Sequence, residues 1–213
     1  MIDTLCFGGG GIKGISYLGS LEYLVTEEYL DMDKINTFVG TSSGSIFSFF
    51  LNLGFNTKEL IDFVRKFDFN KFSLDINCDI FLSKFGIDSG TKILTAVQTF
   101  LKEKLDVDDI NFIDLYNSTN KELKIVTTNY SLGTNEIFSY KTTPKVSVLL
   151  AIRMSISVPI VFTPVEFKGN YYVDGGLTCN FGMKYCNRDT TLGFAVTNLE
   201  KKNNLTSLPE YIF

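Results

Sequence analysis

Histidine is missing from all 213 residues of this chain. That excludes a serine hydrolase of the Ser-His-Asp kind, because no imidazole is present to take a serine proton. Tryptophan is missing too, while phenylalanine is abundant at 20 residues. Positive charge is not in excess: 20 Lys and Arg stand against 24 Asp and Glu, net −4, with no basic run. A nucleic-acid partner is therefore not expected, and any membrane contact must be mostly apolar. Cysteine is sparse. Cys6, Cys78, Cys179 and Cys186 follow no metal-ligand pattern, and such sites usually also draw on histidine. They read as reduced thiols, with Cys6 in a strand core. No apolar run reaches the ~18 residues of a spanning helix, and Asp3 followed by glycines is unlike a secretory leader. A cytoplasmic protein, peripheral at membranes if it meets them, is the expectation.

What is present is globular: 45% hydrophobic and 21% charged residues, at a length expected for one domain spanning 1–213. Residues 2–7 read as a buried strand running into Gly8-Gly9-Gly10-Gly11. After Gly14, Ile15, Leu18, Leu21 and Val25 recur at helical spacing. Thr37-Phe38-Val39 is a second short strand ending at Gly40, and Ser43–Leu53 reads as a buried helix. Asn56 and Glu59 form a capping box for a helix through Lys66. Two strand-turn-helix units this close together indicate an α/β fold with a parallel sheet. Further on, a helix is expected after Asp88-Ser89-Gly90, with Ile93, Val97, Phe100 and Leu101 on one face. Strands follow at 123–130 and 136–140 around the turn 132–135, then a helix over 145–156. A hairpin is expected around Lys168-Gly169-Asn170, and a last strand at 192–197.

Three motifs carry chemistry. The first is the glycine loop. Gly9-x-Gly11-x-x-Gly14, between a strand and a helix, fits a dinucleotide-binding fingerprint, with Asp31 or Asp33 near the ribose position. That reading implies an NAD(P)-dependent oxidoreductase. The same loop, with backbone N–H groups facing an anion, also suits the oxyanion of an acyl-transfer intermediate, or it is a tight structural turn. The second motif is Gly40-Thr41-Ser42-Ser43-Gly44, in the strand-to-helix context of a nucleophile elbow. The third is Asp174-Gly175-Gly176, alone an ordinary turn. A free aspartate has a pKa of ~3.9 and is a weak base, so it needs burial or direct hydrogen bonding to serve Ser42.

Taken in order, the three motifs make the chain resemble the patatin-like phospholipases, over about residues 2–183. Gly86-Ile87-Asp88-Ser89-Gly90, Thr128-Asn129, Ala151–Ser155 and Val158–Pro164 are similar to further blocks of that family. The resemblance implies a three-layer α/β/α fold with a mostly parallel central sheet. It also implies a calcium-independent lipid acyl hydrolase with a Ser-Asp dyad, in which Ser42 is the nucleophile and Asp174 the base. Gly9, Gly10 and Gly11 would form the oxyanion hole, supported by Gly14, Gly40, Gly44, Gly175 and Gly176. No cofactor or metal is implied. The partners implied are an acyl lipid substrate and a transient membrane-surface contact. A catalytically inactive lipid-binding relative is the other reading the family allows. The chain departs from the family at Asn180-Phe181-Gly182, where many members have Asn-x-Pro, and many relatives continue beyond the length seen here. The Phe-rich stretch 63–85 is a candidate acyl-pocket or membrane segment.

Overall fold

A computed structural model describes residues 1–66 and 85–197. Phe67, Phe69, Phe72, Phe81 and Cys78 lie outside the described residues.

The chain opens with strand β1 (Thr4–Phe7), a 3-10 turn (Gly11–Ile15) and helix α1 (Ser16–Thr26). Strand β2 (Thr37–Thr41) then enters helix α2 (Ser43–Asn52) with one intervening residue, Ser42. Helix α3 (Thr57–Lys66) begins as its capping box dictates. Glu59 N–H donates to Asn56 Oδ1 at 2.9 Å, and Asn56 N–H donates to Glu59 Oε2 at 2.7 Å. From residue 85 onward come β3 (Gly86–Asp88), α4 (Thr91–Leu105), α5 (Phe112–Thr119), β4 (Glu122–Asn129) and β5 (Thr134–Phe138). The chain continues through α6 (Val148–Ser155), β6 (Ile160–Phe162), β7 (Val165–Phe167) and β8 (Asn170–Val173). A short α7 (Gly176–Cys179), a 3-10 turn (Gly182–Tyr185) and β9 (Thr191–Phe194) complete the described fold.

The main sheet has the order β7-β8-β4-β2-β1-β9, with β5 also paired to β4. Its centre is parallel, as the strand-turn-helix units require: β1 pairs in parallel with β2 and β9, and β2 with β4. Strands β5, β7 and β8 join antiparallel on the β4 side. Alternation along the strands splits the core into two layers. Leu5, Phe7, Phe38, Leu123 and Ile125 belong to the large cluster with the apolar faces of α1, α2, α4 and α6. Cys6, Val39 and Val126 face the other way, onto Cys179, Met183 and Cys186. The second helical layer is thus thin, built from α7 and the turn after it.

Some boundaries differ from expectation. The 145–156 helix starts at Val148, because Ser147 is its N-cap and accepts the Leu150 N–H at 3.1 Å. Val146 lies outside it, with its carbonyl taken by Phe112 N–H. The turn expected at 132–135 sits at Tyr130–Gly133, and β9 ends at Phe194. Helix α5 and the two-stranded parallel sheet β3-β6 were not anticipated. For α5 the signal was present in Asn111, whose side chain accepts the Asp114 N–H.

One register relation positions the site. Strand β2 ends with Thr41 opposite Val126 of β4, and β8 ends with Val173 opposite Thr128. Both lie on the same side of β4, since β5 occupies the other side at Val126 and at Thr128. Strands β2 and β8 therefore run head-on towards Thr127. Ser42 and Asp174, the next residue of each, come face to face.

Candidate active site

Ser42 occupies a sharp turn with φ 53° and ψ −128°, a conformation costing a non-glycine residue ~1–3 kcal/mol. Close packing enforces it. A Cβ on Gly44 would lie 2.3 Å from Phe7 O, and one on Gly40 would lie 2.4 Å from Gly44 O. The elbow thus needs glycine at both positions for the approach of backbone to backbone. The turn is also held from outside, as Ser42 N–H donates to Ser155 Oγ at 2.9 Å.

The Ser42 hydroxyl donates to Asp174 Oδ2 at 2.6 Å. The other carboxylate oxygen, Oδ1, accepts the Gly176 N–H at 2.7 Å. Both side chains are buried, with 8% of Ser42 and 4% of Asp174 exposed. Burial pushes the Asp174 carboxyl up to about 6, against the opposing pull of hydrogen bonds from Ser42 and the Gly176 amide. Such a carboxylate binds a proton more readily than a free aspartate does, so it can take one from a hydroxyl in contact with it.

The segment at the end of α6 carries both halves of the pair. Ser155 Oγ holds the Ser42 amide and donates to Val126 O at 2.7 Å. The carbonyls of Ser155 and Ser157 accept the N–H groups of Gly175 and Asp174. Arg153, buried beside them, donates to Ser89 O, Thr163 O and the Ser157 hydroxyl. Burial lowers its guanidinium to about 10, with nearby Asp88 pulling the other way.

Gly9, Gly10 and Gly11 line a polar cleft of about 460 Å³ with Ser42, Asp174 and Asn180. They are not equivalent. Gly9 N–H donates to Asn180 O at 2.9 Å, and Asn180 Nδ2 donates back to Gly9 O at 3.2 Å. Gly9 therefore has no amide to offer an anion, a correction to its expected place in an oxyanion hole. Gly10 N–H rests on Ser43 Oγ at 3.2 Å. Gly11 opens the 3-10 turn, where the first N–H groups have no acceptor within the turn. Gly14 packs on Ser43 and Phe47, and Gly175 on Val126 O.

Asp31, one of the two ribose-position candidates, instead accepts the N–H of the other, Asp33, and pairs with Lys34 Nζ at 3.0 Å. Its position is explained by capping a 3-10 turn. Among the described residues, no cluster of His, Cys, Asp or Glu could hold a metal ion.

A second cavity, apolar and about 390 Å³, also reaches Ser42. It shares Gly11, Ser42 and Val158 with the polar cleft. Ser42 therefore stands at the junction of an apolar and a polar space. From the Phe-rich stretch, Phe63 lines the apolar cavity, whereas Phe85 is exposed.

The model of the patatin-like phospholipase family matches residues 5–186. The chain belongs to that family. A probable lipid hydrolase, 463L, of Invertebrate iridescent virus 6 is 32% identical over 194 residues, covering 87% of this chain and 64% of its own length. The uncharacterized protein R571 of Acanthamoeba polyphaga mimivirus is 30% identical over 209 residues, 96% of this chain and 69% of that protein. The chain thus spans about two thirds of the curated relatives it matches. Among solved structures, VipD from Legionella pneumophila superposes with a TM-score of 0.72 at 18% identity, over 90% of this chain and 49% of VipD. A chain of the ExoU–SpcU complex of Pseudomonas aeruginosa gives 0.58 at 20% identity, over 90% and 43%. These two likenesses concern the fold.

Two contributors to this patatin-like site were not read from the sequence, Ser155 and Asn180. Ser155 lies in a block that matches the family, yet no local spacing tells which amide its hydroxyl reaches. The Asn180 segment, noted as a departure from the family pattern, proves to be the clasp on the glycine loop.

Proposed function

We propose that this chain is a lipid acyl hydrolase working through a Ser42–Asp174 dyad and an acyl-enzyme. The observation that carries the reading is the 2.6 Å hydrogen bond from Ser42 to a buried carboxylate, placed where the apolar cavity meets the polar cleft. Ser42 Oγ attacks the ester carbonyl carbon as Asp174 takes its proton. The oxyanion is received by the Gly11 amide and by that of Gly10, which exchanges its side-chain partner Ser43 Oγ for the anion; one such donor typically accounts for ~10²–10³ in turnover. Collapse expels the alcohol, which leaves with the proton from Asp174. Water then gives a proton to Asp174 and attacks the acyl-enzyme. The fatty acid departs and Ser42 regains its hydrogen.

The apolar cavity supports a long acyl group as the part retained, and the polar cleft suits the leaving alcohol. Ile12 (66% exposed) and Leu177 (52% exposed) line the two spaces, and lips of that kind suit contact with a lipid surface. No helix among the described residues is long and apolar enough to cross a membrane.

The test is hydrolysis of a carboxyl ester by the wild-type chain, Ser42→Ala and Asp174→Asn. Both variants should lose turnover with unchanged far-UV circular dichroism, and a fluorophosphonate should label the wild type at Ser42. Substantial turnover in either variant rejects the dyad. A wild type that neither turns over nor labels, yet binds lipid, is the inactive relative.

A further inference from the structure

The apolar cavity has a direction. Helix α2 leaves Ser42 and presents Ser43, Ile46, Phe47 and Phe50 to it, residues spaced to share one helix face. From Ser43 to Phe50 the helix rises ~10.5 Å at 1.5 Å per residue. Helix α4 adds a second wall with Ile93, Ala96 and Phe100 at the same kind of spacing. Where these two faces meet, the Phe50 and Phe100 rings stack with centroids 4.2 Å apart. Phe63 meets Phe100 edge-on at 4.5 Å. Phe55 packs against both Phe50 and Phe100 but is not among the residues lining the cavity. Two rings backed in this way resist displacement, because pushing packed aromatic side chains aside is costly.

We propose that the Phe50–Phe100 stack is the stop of an acyl ruler: the scissile carbonyl sits at Ser42, the chain lies along α2, and its terminal methyl meets the two rings. Phe100 is then a specificity-determining residue, and Ala96, the smallest side chain of the α4 wall, sets the bore. This rests on the acyl-hydrolase reading of Ser42 and Asp174. Each methylene that enters the cavity raises kcat/KM by roughly fourfold, the factor that burial of one such group represents. Past the stop the gain ends, and kcat/KM falls as the chain must bend or push the rings aside.

The experiment measures kcat/KM for monomeric p-nitrophenyl esters from acetate to palmitate, with the wild type, Phe100→Ala and Ala96→Leu. The wild type should climb to an optimum and then decline. Phe100→Ala should move the optimum to longer chains, and Ala96→Leu should move it to shorter ones. Each change should alter the long-to-short ratio by about tenfold or more, the worth of roughly two methylenes. If Phe100→Ala does not fold, the shift with Ala96→Leu carries the test. Hydrolysis with the wild-type profile in every folded variant overturns the ruler and leaves the dyad standing. A wild type inert to every ester overturns both.

Discussion

Ser155 Oγ receives the amide hydrogen of Ser42 at 2.9 Å and passes its own to Val126 O at 2.7 Å. One hydroxyl thus ties the strained elbow to the strand beside it. Ser155→Ala leaves a buried N–H without a partner, at a cost of ~1–3 kcal/mol in stability. It also frees the elbow to relax from its positive φ. We expect kcat to fall by about 10–100-fold with KM little changed, since the loss is one of alignment at the reacting atoms. Ser155→Thr, which keeps the hydroxyl, should recover much of kcat. Steady-state kinetics beside denaturant melts separate the two effects. Equal kcat in the folded wild type and the alanine variant counts against a positioning role.

In the proposed mechanism Asp174 acts as a base when ionised, and burial pushes its carboxyl up to about 6. The kcat/KM of ester hydrolysis should therefore rise with pH through about 6 and level off above it. The acid limb should have a slope near one, reporting the free enzyme. A pH profile with a non-ionisable ester reads this directly. An acid limb centred near 4 would show that burial does not govern the carboxyl.

The same shift has a stability consequence of definite sign. An unfolded aspartate ionises near ~3.9, so the folded state of this group binds its proton more tightly. Its contribution is fully present below the unfolded value and is lost as pH rises through about 6. Asp174→Asn carries no such titration. The melting temperature of the asparagine variant relative to wild type should thus climb between pH 4 and pH 6 and stay flat above pH 7. Differential scanning fluorimetry across that range is sufficient. A gap independent of pH would contradict the raised proton affinity.

Gly9 and Asn180 clasp each other through two hydrogen bonds. Asn180→Ala removes the side-chain bond and should cost ~0.5–1.5 kcal/mol in stability. Gly9→Ala should be worse, because its Cβ would stand 2.3 Å from Asn180 Oδ1. Combining the two removes the clash, so the double variant should be more stable than the sum of the single losses predicts. A double-mutant cycle by urea unfolding measures that coupling. Strict additivity would deny the contact.

The amino-acid order by itself determined the alternation of strand, glycine turn and helix at the start of the chain. It also determined the elbow at Ser42, the capping box at Asn56 and Glu59, and the absence of any imidazole. These are matters of local spacing and residue type, which act within a few positions. The 3-10 turn that caps with Asp31 and the late start of α6 at Val148 are local too, but the competing side-chain bonds there carry no pattern strong enough to read. The meeting of Ser42 with Asp174, 132 positions apart, was decided by β2 and β8 running head-on beside β4. The same holds for Ser155, 113 positions from the amide it holds, and for Asn180, 171 from Gly9. Burial of the Asp174 carboxyl, and with it a raised proton affinity, is likewise a property of packed layers. Tertiary structure decided these because strand register, close packing and exclusion of water arise only when distant segments are brought together.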